Sequence, residues 1–212
     1  MFDVDGTLVQ SYDFDEQCFI ASIQEVTGIK IDSDWESYPY VTDRGILMTF
    51  IERQAFNYSI EKLENLVKPV FITKIREHLI SNPANAVEGA IEFLEHLKLK
   101  SSITLSIATG GWADTAIEKL NSAGFDLEGV PLASSNDHYS RIEIMKLAKS
   151  RADCDSSVPL IYFGDADWDL RACEELNANL VIVGDRVSHI QKINDFTEVN
   201  KTLAMAGLSG SM

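Results

Sequence analysis

The sequence is short of cysteine, proline and basic residues, and it has no long apolar run. Three cysteines among 212 residues, Cys18, Cys154 and Cys173, are too few and too scattered for a disulfide framework, and none forms a CxxC pair. They read as reduced, partly buried thiols. No segment approaches the roughly 18 apolar residues of a membrane helix. The start, Met1-Phe-Asp-Val-Asp5, is acidic at once and does not read as a signal peptide. A soluble, cytoplasmic protein is expected. Only 5 prolines and 12 glycines, beside 45% hydrophobic and 24% charged residues, exclude disordered and fibrous classes. The 18 Lys+Arg stand against 33 Asp+Glu, a net charge of −15. An acidic chain gains nothing from counterion release on nucleic acid, and an anionic membrane surface repels it. A phosphate substrate would need a local reversal of this field.

At roughly 150 residues per domain, the length predicts one or two domains. The C-terminal half alternates short apolar runs with amphipathic segments. Strands are expected at Ile103–Ala108, weakly at Leu132–Ser134, at Leu160–Phe163 and at Leu180–Val183. Helices are expected from Trp112 to Ala123, with Ala116, Ile117 and Leu120 on one face, from Ser140 to Ser150 and from Asp167 to Asn177. Such alternation means βαβ units and a parallel sheet. The stretch from Tyr12 to Ser81 differs. Phe14, Cys18, Ile23 and Val26 are helically spaced up to Gly28, and Leu47, Phe50 and Ile51 mark a second helix. Ile60, Leu63, Leu66 and Val67 mark a third, which Pro69 should end or kink. A further helical piece carries Ile72, Ile75 and Leu79. The expected fold is a doubly wound, Rossmann-like α/β core of residues 1–11 and 83–212. A helical cap of residues 12–82 would be inserted after the first strand. Ligands of such sheets bind at the carboxyl ends of the strands, where an insert would act as a lid.

Four features carry chemistry. In Asp3-Val-Asp-Gly-Thr7, Asp3 and Asp5 leave a strand end on the same side, and Gly6 permits a sharp exit. Two carboxylates held so close call for a cation or a shared proton. A plain Asp-Gly turn is the alternative. Asp165, Asp167 and Asp169 follow an apolar strand and precede a helix, as a hard-cation site would require. One of the three should only cap that helix, and Asp167 is assigned there. Thr109-Gly110-Gly111 after the Ile103 strand offers a hydroxyl and bare N–H groups to a phosphate. A cation is expected among these anions. Arg141, at a helix start near the strand ends, is favoured over Lys146, which should face outward.

These four features in this order resemble the haloacid dehalogenase superfamily of phosphotransferases. Asp3-Val-Asp-Gly-Thr7 looks like its first motif, Thr109 its second, Arg141 its basic third, and Gly164-Asp165 with Asp169 its GDxxxD fourth. The insert looks like the small C1-type cap of phosphoglycolate-phosphatase-like members. The resemblance implies a Mg²⁺-dependent phosphatase for a small phosphorylated metabolite. Asp3 would attack phosphorus and Asp5 would serve as general acid and base. Mg²⁺ would be held by Asp3, the Asp5 carbonyl and Asp165, with Asp169 behind them or acting through water. Thr109, Gly110 and Arg141 would bind the phosphoryl group. An acid at Asp5 argues for phosphoryl chemistry, since a halide leaving group needs no proton. Two departures stand out. Only Met1 and Phe2 precede Asp3, where the family has a fuller strand, and the basic residue is arginine rather than the commoner lysine.

Substrate choice is expected from Thr42, Asp43 and Arg44 in the insert, with Arg44 as an anion contact. Thr42 also reads as the cap of the helix through Leu47, and Trp35 and Tyr40 read as packing residues. A sugar phosphomutase is the near alternative. A non-enzymatic phospho-acceptor or binding domain of receiver type is the distant one, and the helical insert argues against it.

Overall fold

The computed structural model describes residues 1–155 and 157–208. The sheet is parallel throughout. Strands β1 (Ile107–Ala108) and β2 (Leu132–Ala133) pair with each other, and β3 (Ile161–Gly164), β4 (Asn179–Val183) and β5 (Lys192–Ile193) form a second ladder. Phe2 joins the two halves, with parallel bridges to Ile107 and Phe163. The chain leading into Asp3 therefore runs through the middle of the sheet. β1 is shorter than the expected Ile103–Ala108, because only Phe2 on one side and β2 on the other supply ladder partners.

Side-chain alternation sorts these strands onto two cores. Phe2, Ile107 and Phe163 face one side, against α4 (Ala90–Lys98), α5 (Ala113–Ser122) and α8 (Val199–Met205). Met1, Ala108 and Tyr162 face the other, against α6 (Arg141–Arg151) and α7 (Asp167–Leu176). Helices on both faces of a parallel sheet make the doubly wound α/β fold. Phe2 and Phe163 stack at 4.7 Å between ring centroids, and Phe93 and Phe196 close around them. Burying each such ring contributes roughly 1.5–3 kcal/mol.

Residues 12–81 hold α1 (Tyr12–Thr27), α2 (Asp43–Gln54) and α3 (Ile60–Ser81). Phe19, Ile23, Leu47, Phe50, Val67 and Phe71 form a third apolar cluster, into which Trp112 of the β1–α5 loop also inserts. Gly28 ends α1 in the left-handed conformation at φ +73°. Thr42 caps α2, its hydroxyl accepting from the Gly45 N–H at 3.0 Å. Pro69 does not end the third helix: α3 continues through it for 22 residues. The Pro69 ring removes one N–H on an exposed stretch, while Leu63, Val67, Phe71 and Ile75 keep one continuous face buried. Packing along that face outweighs one lost backbone bond.

Candidate active site

Three carboxylates meet at the carboxyl end of the sheet. The Asp3 N–H donates to Phe163 O at 2.9 Å, so the central chain delivers Asp3 beside the end of β3. Oxygens of Asp3, Asp165 and Asp169 all lie within 4.8 Å of one another, and all three residues are buried. Glycines make this crowding possible. Gly6 turns at φ +80°, and a Cβ there would run into the Asp165 carboxylate. A Cβ on Gly164 would come within 2.6 Å of the Asp169 carboxyl carbon.

Asp169 is the residue that caps α7. Its Oδ2 accepts from the N–H groups of Asp165 at 3.1 Å and Ala166 at 3.2 Å. This corrects the assignment of Asp167, which is exposed and lies inside the first turn. The reason is reach: a carboxylate three residues into the helix folds back onto the loop, whereas Asp167 points outward.

Arg141 heads α6 and enters the same cluster. Its Nη1 lies 3.0 Å from Asp169 Oδ1 and 3.4 Å from Asp3 Oδ1. Lys146 is exposed and pairs with Glu143 at 2.8 Å. Burial pushes the Asp3 carboxyl well above its usual range, with Arg141 opposing. Burial also pushes Asp165 up to about 7, with Asp169 adding to the shift. Asp3 Oδ1, Asp169 Oδ1 and Arg141 Nε are buried without a hydrogen bond. Oxygen donors only, close spacing and unsatisfied buried oxygens fit a small hard cation such as Mg²⁺. Asp169 stands with Asp3 and Asp165 in this cluster, and the Asp5 side chain turns elsewhere, which leaves Asp5 the backbone carbonyl assigned to it above.

The Asp5 carboxylate faces Lys119. Lys119 Nζ, wholly buried, lies 2.5 Å from Asp5 Oδ1 and 2.5 Å from Asp15 Oδ1 on α1. The Ser11 hydroxyl also donates to Asp5 Oδ1. The two carboxylates hold the ammonium well above its usual range despite burial. Burial and the neighbouring Asp5 push Asp15 up to about 7. The sequence reading missed Lys119. Ile117 is expected on the buried face of α5, but it is 41% exposed and Lys119 takes that position between Ala116 and Leu120. A lysine on an apolar helix face was the available signal.

Thr109 is buried at the end of β1, its hydroxyl accepting from the Gly111 N–H at 3.1 Å. The start of α2 reaches this loop. The Asp43 N–H donates to Gly110 O at 2.9 Å, and the Trp112 N–H donates to Asp43 Oδ2 at 2.7 Å. Asp3, Asp5, Asp15, Asp43, Thr109 and Arg141 thus line one cleft, of about 620 Å³ when its open mouth is included. Thr42 and Asp43 line it, and Arg44 does not. Arg44 turns to Glu61 and Glu64 at 3.5 and 3.6 Å, since α3 offers it carboxylates. Trp35 lines the cleft too, donating from Nε1 to Glu16 at 2.5 Å. Arg186, also unforeseen, pairs with Asp165 at 2.6 Å and lies 3.6 Å over the Tyr12 ring. No described helix is long and apolar enough to cross a membrane.

Residues 1–183 match the family profile described as haloacid dehalogenase-like hydrolase. No curated protein matches the chain. Several solved structures share the fold. CbbY from Rhodobacter sphaeroides in complex with phosphate has a TM-score of 0.73 at 18% identity, over 98% of this chain and 97% of that one. β-Phosphoglucomutase from Clostridium difficile has a TM-score of 0.73 at 16% identity, over 97% and 95%. A predicted phosphoglycolate phosphatase from Haemophilus somnus gives 0.63 at 16% identity, over 94% and 95%.

Proposed function

The chain belongs to the haloacid dehalogenase-like hydrolases, and we propose that within them it is a Mg²⁺-dependent phosphatase of a small phosphorylated metabolite. The observation that carries this reading is the convergence of Asp3, with its unsatisfied buried oxygen, Asp165, Arg141 and the Thr109 loop on one cleft. The likeness to a phosphate-bound CbbY supports it.

Asp3, Asp165 and the Asp5 carbonyl would hold the cation, with the Asp169 carboxylate beside them. When bound, Mg²⁺ supplies charge neutralisation that lets an anionic phosphate approach these acids. Asp3 forms a bond to phosphorus as the bond from phosphorus to the ester oxygen breaks, giving an aspartyl-phosphate. Asp5 gives its proton to the departing alkoxide. Thr109, the Gly110 N–H and Arg141 offset the charge spread over the phosphoryl oxygens. Asp5 then takes a proton from water, which attacks phosphorus, releases phosphate and restores Asp3. Residues 12–82 serve as the cap, and Thr42 and Asp43 contact the leaving group.

The test is phosphate release from a panel of phosphorylated metabolites, with and without Mg²⁺, beside Asp3→Asn. Metal-dependent release that falls on the order of 10⁴-fold in the variant is expected. Wild-type turnover by Asp3→Asn would end the covalent mechanism. Isomer formation without phosphate release would make the protein a phosphomutase instead.

A further inference from the structure

Lys119 is a buried cation held behind the cleft by two carboxylates that line it, and phosphoryl transfer as derived above does not use it. Its position is costly, because an ammonium without water needs full compensation. Compensation comes from two carboxylates of different origin. Asp5 belongs to the turn after the central chain, and Asp15 to the first turn of α1.

The contacts on Asp5 are one-sided. Oδ1 receives both the Lys119 ammonium and the Ser11 hydroxyl. Oδ2 lies on the other side, 3.7 Å from where a Cβ of Gly111 would stand, next to the phosphoryl-binding loop. Two donors on Oδ1 fix the rotation of the carboxyl group. That rotation presents Oδ2 to the cleft, where an ester oxygen would depart. Asp15 holds the other side of the ammonium.

We propose that Lys119 is a positioning residue for the acid–base step: it fixes Asp5 Oδ1 so that Oδ2 delivers the proton to the leaving oxygen, with Asp15 as its anchor on α1. The inference rests on Asp5 acting as the acid of a phosphatase. In the step concerned, the proton on Asp5 Oδ2 moves to the bridging ester oxygen as its bond to phosphorus breaks and the bond from Asp3 to phosphorus forms. The alcohol leaves neutral and Asp5 is left as the carboxylate.

A misplaced acid harms esters in proportion to their need for a proton. Nitrophenolate leaves without one, whereas a simple alkoxide does not. The experiment compares kcat/KM for 4-nitrophenyl phosphate and propyl phosphate in wild type, Lys119→Met and Asp15→Asn. This ratio covers the steps up to alcohol release, so the later hydrolysis, common to both esters, drops out. Lys119→Met should lose at least about tenfold more on propyl phosphate than on 4-nitrophenyl phosphate, within the ordinary range of acid catalysis. Asp15→Asn should show the same bias, more weakly, and it keeps the test open if Lys119→Met does not fold. Equal losses on both esters, or none, in the folded variants would reduce Lys119 to a structural ion pair and overturn the proposal. Failure of the underlying reading looks different: wild type would hydrolyse neither ester, or Asp3→Asn would keep its turnover.

Discussion

Arg141 and Lys119 are both buried cations facing two carboxylates, yet their surroundings differ in kind. Around Arg141 the geometry is loose. One guanidinium nitrogen serves Asp3 and Asp169 at 3.4 and 3.0 Å, while Nε and one oxygen of each carboxylate lack a hydrogen bond. Around Lys119 the geometry is closed, with both oxygens at 2.5 Å and neither among the unsatisfied atoms. The first centre is incomplete by itself and is built to receive something. The second is complete and fixes what is already there. Unsatisfied buried polar groups cost free energy, so they persist where a ligand completes them.

The largest expected effect separates the two centres by their response to metal. Removing one partner of a buried ion pair destabilises by about 3–5 kcal/mol. Lys119→Met and Arg141→Met should both lower unfolding free energy by about that much in denaturant titrations without metal. Added Mg²⁺ should restore much of the loss in Arg141→Met, because the carboxylates it strands are Asp3, a proposed ligand of the metal, and Asp169 beside it. It should restore little in Lys119→Met. Equal recovery in both variants would break the distinction.

An intermediate effect concerns pH. Asp15 and Asp165 are both pushed up to about 7 from 3.8. Between those values the folded protein holds protons that the unfolded chain lacks. Stability from these groups is therefore greatest at low pH and declines as pH rises through about 7. Metal-free protein should be less stable at pH 8 than at pH 5. Mg²⁺ should remove the part due to Asp165 and leave the part due to Asp15. A flat stability profile over this range, measured by denaturant unfolding, would contradict both shifts. The smallest effect belongs to Arg44, which lies outside the cleft and makes partly exposed pairs. Arg44→Ala should change KM by less than about twofold and stability by about 0–1 kcal/mol.

The Arg141 centre was the legible one. Its residues sit at strand ends and helix starts, where short-range patterns such as Asp-x-Asp-Gly and Gly-Asp-x-x-x-Asp fix both spacing and direction. Even there, which aspartate caps α7 depended on how far a side chain folds back, and spacing placed that role on Asp167 instead of Asp169. The Lys119 centre was not legible. Asp5, Ser11, Asp15 and Lys119 meet only because the fold brings the Asp5 turn and the start of α1 to Lys119 of α5, and no local pattern encodes that contact. The fold showed the same division. The βαβ alternation and the caps at Gly28 and Thr42 could be read directly. The continuity of α3 through Pro69 could not, because tertiary packing along one face decided it.

The first residues of α2 carry a consequence of their own. The Thr42 hydroxyl donates to Tyr139 O at 2.7 Å, the Asp43 N–H to Gly110 O at 2.9 Å, and the Arg44 N–H to Ser135 Oγ at 2.9 Å. Three consecutive residues are thus tied to two loops of the α/β core, the one after β1 and the one after β2. Lifting α2 from those loops means breaking all three bonds in one event, so hydrogen exchange should find the amides of Asp43 and Arg44 opening together, as a single cooperative unit.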